Sequence, residues 1–367
     1  MKASIIRVRS VALLAAALLA AGAAAPASPV AAQQAGAGEG GQGDAVERNH
    51  PYLADLLNAF EASHGLVYQA VLDRDGSSQR ADREAYDRLV RDVLADPGWE
   101  AAMAAGEGSG NAGLVPDVVP DRVLVALERA DDFHRDLLAI YADPDATAKF
   151  RDVEALVSEY RADPETAFLT DPKDLGLVAD QSRSEAFREA YPHLHGLMWA
   201  HRWLQLAAFE PLIRYQAPER RRAGIMAVMA RYWSMLENPP ERFPSEMPMA
   251  PTIAPALVAY HPDAAAILDN ANLFHDVVAN TLVQEGAQGE SDALLASLSR
   301  FQDPNYMGTS WYDWNRMAIL HGVGNQGGWA TNIIPDPRQT EIHMDGHGDH
   351  HMVIPGMPTG SMPGGNE

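Results

Sequence analysis

The 367-residue chain contains no cysteine. That absence excludes disulfides, thiolate zinc sites, iron–sulfur clusters, covalently attached c-type haem and a cysteine nucleophile. A metal site here must be built from His, Met, Asp and Glu. Basic residues are scarce: 28 Lys and Arg stand against 50 Asp and Glu, for a formal net charge of −22. Such a surface repels phosphate backbones, so no nucleic-acid partner is expected. No run alternates polar and β-branched apolar residues with period two, which leaves nothing to build a sheet from. There is no P-loop, no Gly-x-Gly-x-x-Gly after a strand, no Gly-x-Ser-x-Gly and no His-Glu-x-x-His. Arg220–Arg222 is the basic cluster of the sequence; with Glu219 before it, it reads as a solvated helix start.

Residues 1–32 carry the features of a secretory signal: Lys2, Arg7 and Arg9, then an apolar Ala-rich run from Val11 to Ala25, then small residues at Val30-Ala31-Ala32. The run falls short of the ~20 residues that span a bilayer, so no stable membrane anchor is expected once the signal is removed. The expected location is the bacterial periplasm or the medium. Residues 33–46 are Gly-, Ala- and Gln-rich and read as a flexible leader.

What remains is patterned for helices, and the fold class expected is all-α: a multi-helix bundle with a Pro-rich internal connection and a disordered C-terminal tail. Residues 47–236 read as the bundle. Residues 237–258, with six prolines in the nineteen positions from Glu237 to Pro255, read as an extended connection and a subdomain boundary. Residues 259–335 read as a further helical region packing on the bundle. Its aromatic, Gly-rich stretch from Trp311 to Thr331 is expected to form a lid or loop. Pro211 should kink or break the long apolar segment that begins near Ser184. Residues 336–367 lose apolar patterning and read as a disordered tail rich in His and Met.

Four predicted helices share one feature. Each places a single histidine on the stripe that should face the core: His64 after Leu57 and Phe60, His134 after Leu127 and Ala130, His201 after Leu194 and Leu197, and His275 after Leu268 and Ala271. Imidazoles that meet at one level of a bundle can bind a transition metal, or two can grip the iron of haem b. Glu61 and Asp131 lie three residues before His64 and His134, so each pair could chelate one ion; Glu128 is a further carboxylate one turn earlier. Glu61-x-x-His64 resembles the Glu-x-x-His helices of ferritin-like di-iron bundles. Those bundles need two such helices and two further glutamates, whereas Asp131, Met198 and Asn272 stand at the corresponding positions here. A lone core-facing histidine can equally be a packed residue bonded to a carbonyl. His193 and His195, at the start of the central helix, are expected at its exposed or capping end.

The tail offers a second donor set in His343, Met344, His347, His350, His351 and Met352. Imidazole with thioether suits copper in either oxidation state, with zinc and iron behind it. A flexible segment of this kind captures ions but does not hold ligands rigidly enough for catalysis. The function expected from these features is that of an exported metal-handling protein. Its tail would capture copper or a similar ion, and its bundle could hold a buried His/carboxylate or haem site. The alternative is an exported helical ligand-binding or interaction protein with no metal chemistry.

Overall fold

Three- and four-residue apolar spacing folds into helices throughout the computed structural model, which describes residues 44–63, 65–72, 77–95, 118–173, 184–237, 248–284 and 290–320. In chain order these are α1 (Asp44–Asn49), α2 (Pro51–Ser63), α3 (Gly65–Leu72), α4 (Ser78–Asp87), α5 (Asp121–Ala142), α6 (Lys149–Tyr160), α7 (Ser184–Ala190), α8 (Pro192–Ala207), α9 (Phe209–Arg214), α10 (Pro218–Glu237), α11 (Ala250–Ile253), α12 (Pro255–Tyr260), α13 (Pro262–Gln284), α14 (Glu290–Gln302) and α15 (Trp311–Leu320). Helix α4 runs on into a π-helical stretch, Arg88–Leu94. The sole β-type pairing among the described residues is an isolated antiparallel bridge between Lys173 and Gly308. The protein is therefore all-α and a multi-helix bundle, as its patterning predicts. No described helix is long and apolar enough to cross a membrane.

Two helices form the centre. From Leu194 to Ala207 every residue of α8 is buried, and so is most of α13. A helix apolar on nearly all sides must be wrapped by others. Helices α4, α7, α9 and α10 pack on α8, while α3, α5, α7, α12 and α14 pack on α13.

Prolines set the corners. Tyr191, Ala254 and His261 each precede a proline and adopt nearly the same non-helical conformation, with φ between −139° and −123° and ψ between 58° and 64°. A residue before proline is pushed out of the α region, while proline itself fits the first helical position, where no N–H partner is needed. The break expected at Pro211 falls earlier, at Ala208. Pro211 cannot donate to the Ala207 carbonyl, so α8 ends there and Pro211 sits in the first turn of α9. The Pro-rich stretch is not wholly extended as expected: Ala250–Ile253 and Pro255–Tyr260 are helical, with Pro251 and Pro255 in first turns. Residues 311–320 are likewise helix rather than loop, and Trp314 is buried. The rest of the aromatic stretch, residues 321–331, lies outside the described residues, as do 1–43, 238–247 and the whole tail.

Helices that start at such corners lack caps of their own, and neighbouring helices provide them. Neither Tyr191, Met249 nor Ala254 makes a side-chain cap at α8, α11 or α12. Buried Asp82 of α4 accepts hydrogen bonds from the His193 and Leu194 amides, at 3.2 and 2.9 Å. Buried Glu210 of α9 accepts from the Ala256 amide at 2.9 Å. Asp269 of α13 accepts from the Ala250 amide at 2.9 Å and from Trp314 Nε1 at 3.0 Å, tying α11 and α15 to α13. Asn280 does the same for the Phe187 amide of α7, at 3.0 Å. A carboxylate at a helix N-terminus satisfies orphan donors and favours the positive end of the dipole. Replacing Asp82 by Ala should cost roughly 2–3 kcal/mol by urea denaturation, since the buried Leu194 amide and the part-buried His193 amide both lose their acceptor. Asp82→Asn, which keeps one acceptor oxygen, should lose less.

Candidate metal centre in the bundle core

The four histidine-bearing stripes of the sequence belong to α2, α5, α8 and α13. His64 itself lies outside the described residues. Among the described residues, Phe60 and Glu61 of α2, Asp131 of α5, Met198, His201, Arg202 and Gln205 of α8, and Asn272 and His275 of α13 line one small cavity, of about 30 Å³. A second, of about 10 Å³, is lined by Asp131, His134, Gln205, Asn272 and His275, with apolar residues of α5, α8 and α13. The two share Asp131, Gln205, Asn272 and His275. Spaces of this size hold a water or an ion, roughly 10–15 Å³ each, and cannot hold a haem.

Each side chain is held by its own helix packing. His134 is 3% exposed and its Nε2 lies 3.3 Å from the Gln205 carbonyl oxygen. A carbonyl only accepts, so that nitrogen carries the proton and Nδ1 keeps a bare lone pair. This Nδ1 is buried with no hydrogen-bond partner. Burial pushes the ring down to about 4, against the pull of the carbonyl, so the imidazole is neutral at pH 7. His201 is 2% exposed and stacks on Phe60, with ring centroids 3.7 Å apart. His275 is half-buried, and its Nδ1 lies 3.1 Å from the hydroxyl of buried Tyr68 of α3. Burial raises the Tyr68 phenol far above its ordinary range, so the hydroxyl keeps its proton.

The two carboxyls feel the same enclosure. Burial pushes Glu61 up to about 7, with Arg135 pulling the other way and Asp132 adding to the rise. Burial first, and then the neighbouring Glu61, holds Asp131 well above the usual carboxylate range. Arg135 Nε is 3.4 Å from Glu61 Oε2, while its Nη2 donates to Asp132 at 2.8 Å near the surface. Beside the cluster, Arg202 and Asp276 form a buried ion pair between α8 and α13. Among the described residues, no three His, Asp or Glu side chains stand close enough as placed to hold an ion.

The structure thus brings Glu61, Asp131, His134, His201 and His275 to one pair of cavities. Other expectations fall away from it. Glu128 is exposed, because it lies on the outer side of α5. His193 is 43% exposed and binds Asp82 through Nδ1 at 2.7 Å, in keeping with a capping end. His195 is instead buried, with its ring pushed down to about 4, because α7 covers that face of α8: Phe187 meets it edge-on. His343, Met344, His347, His350, His351 and Met352 lie outside the described residues. Sequence reading missed Arg202, Asp276, Tyr68 and Gln205. One signal was present: an arginine directly after His201 in the most apolar helix, and an aspartate directly after His275.

No family model, curated protein or solved structure matches the chain.

The titrating groups oppose each other. Glu61 binds its proton more tightly folded than unfolded, so its contribution is full below pH 4.5 and is lost as pH rises through about 7. His134 is depressed, so its contribution is lost as pH falls from 6.5 towards about 4. Glu61→Gln removes only the first trend. With chelator present, the gain in urea midpoint from pH 5 to pH 8 should be larger in E61Q than in the parent protein; an unchanged gain would show that Glu61 is not buried in this way.

Proposed function

We propose that this chain is an exported metal-handling protein whose helical body holds a transition-metal ion at the Glu61, Asp131, His134, His201 and His275 cluster. The observation that carries this is the His134 ring. Its tautomer is set by the Gln205 carbonyl, and its bare Nδ1 lone pair is buried on the wall of a cavity that Asp131 and His275 also line. An unsatisfied buried nitrogen costs about 1–3 kcal/mol, which a metal–nitrogen bond would offset. The two enclosed carboxyls are the other half of the support, since a cation nearby is what favours their ionised form. Rotation of His201 or His275 about χ1 and χ2 would complete the ligand set.

Export rests on the basic, apolar and small-residue order of the first 32 positions, and copper capture on the imidazole and thioether donors between His343 and Met352. In this reading the tail gathers ions and the body retains one. The rival reading, a helical ligand-binding or interaction protein, draws on a groove of about 830 Å³ between α6 and the α12–α13 corner. Phe150 and Tyr260 stand exposed on its sides, and His261 lines it.

The test is metal content by mass spectrometry after equilibration with copper, zinc and iron followed by desalting. Both the mature chain from Gln33 and a form ending at Pro337 should retain about one equivalent in the body. His134→Ala should remove the metal kept by the shorter form while leaving its helical circular dichroism intact. Metal kept only by the full-length chain would remove the core site, and metal kept by neither would favour the ligand-binding reading.

A further inference from the structure

The basic run Arg220–Arg222 is only partly the solvated helix start that its sequence suggests. Arg220 and Arg222 are exposed in the first turns of α10, but Arg221 between them turns inward and is 5% exposed. Its Nε donates to the Tyr215 carbonyl at 2.5 Å and its Nη1 to the Tyr141 carbonyl at 3.4 Å. Its Nη2 has no hydrogen-bond partner among the described residues. Arg221 lines a cavity of about 240 Å³ together with Lys149, Thr147, Phe150, Leu212 and Ile213. None of these residues lines the two core cavities. We propose that this cavity binds a small organic carboxylate, whose charged end meets the Arg221 guanidinium and whose apolar body lies against Phe150, Leu212 and Ile213.

Positive charge gathers here without a carboxylate to pair it. Lys149 Nζ donates to the Ile140 and Tyr141 carbonyls, at 2.9 and 3.2 Å, and to the Asp143 carbonyl, all at the C-terminal end of α5. Cations suit a helix C-terminus, but that end carries only about half a negative charge, which does not balance two cations. Asp143 Oδ1 accepts from the Asp145 amide at 2.8 Å. Among the described residues, no carboxylate forms an ion pair with Lys149 or Arg221. Burial, and then Arg221, pushes Lys149 down to about 8, with Asp143 pulling the other way. Burial also lowers Arg221, again against Asp143. His50 is pushed down to about 4 by burial and then by Arg222 and Arg221. An anion in the cavity would offset this mutual repulsion. All three Lys149 protons are engaged, so Lys149 would act through its charge, while Arg221 still has N–H groups to give. A planar guanidinium suits the flat carboxylate group. The apolar wall selects an organic anion over an inorganic one, because buried Leu212 and Ile213 offer nothing to further charged oxygens. An engineered apolar cavity of ~150 Å³ takes up benzene, so the larger space here admits a ring or short branched chain with its carboxylate.

The experiment is calorimetric titration of the full-length mature chain, with chelator present, using benzoate, its neutral analogue benzamide and inorganic phosphate. Benzoate should bind at least ~10-fold more tightly than benzamide, the order expected for one charge-assisted hydrogen bond. It should also bind at least ~10-fold more tightly than phosphate, whose outer oxygens would face the apolar wall. Arg221→Gln should weaken benzoate by at least ~10-fold and leave benzamide nearly unchanged. Thr147→Trp keeps both cations and fills the cavity from an exposed position. It should abolish benzoate binding, and it serves if Arg221→Gln does not fold. No benzoate binding, benzoate and benzamide of equal affinity, or full benzoate affinity in either variant would overturn the proposal. Phosphate that binds as tightly as benzoate would overturn it too, by removing the preference for a carboxylate.

Discussion

Carboxylates and amides that cap helices other than their own are the constraint on which the rest of the structure depends. X-Pro corners at Tyr191 and Ala254 start the next helix without a side-chain cap of their own. Asp82, Glu210, Asp269 and Asn280 then reach across to bind first-turn amides of α8, α12, α11 and α7 that have no partner within their own helix. Each such bond fixes the height of one helix against another as well as its direction. Hydrophobic packing alone is tolerant of sliding, because one leucine resembles the next; a buried carboxylate with one set of amides in reach is not. The register so imposed on α8 and α13 is what brings His201 and His275 to the level of His134 and Glu61.

That register places a group of polar side chains where a helical bundle ordinarily places leucine. Arg202 and Asp276 neutralise each other, and the Gln205 carbonyl satisfies one face of His134. The remainder is not balanced. His134 keeps a buried nitrogen without a partner, and Glu61 and Asp131 are held away from their ordinary ionisation by enclosure. Enclosed carboxyls clustered with neutral imidazoles make this part of the core a candidate functional site. A cation at this point would turn the least favourable part of the core into a matched one.

Much of this was legible in the sequence, because two of its signals are local. Apolar spacing located the long helices and put one histidine on each seam, and proline placed the corners to within a few residues. The parts that were not legible depend on what lies across from a residue. Pro211 ends α8 three residues before itself, through the carbonyl it cannot serve. Glu128 follows the same i, i+3 rule as Asp131 but turns outward once α5 is docked. His195 looks like an end-of-helix residue until α7 folds over it. Periodicity gives the face of a helix and not its partner, so the Arg202–Asp276 pair, the Tyr68 hydroxyl beside His275 and the trans caps could be read only from the packed structure.

The most direct test of the central claim is anomalous diffraction from crystals of the zinc-loaded protein. A zinc peak is expected in the core between α2, α5, α8 and α13, bonded to His134 Nδ1 at about 2.0–2.1 Å, with Asp131 or Glu61 in its shell. Zinc elsewhere on the chain, with the His134 Nδ1 still unbonded, would contradict it.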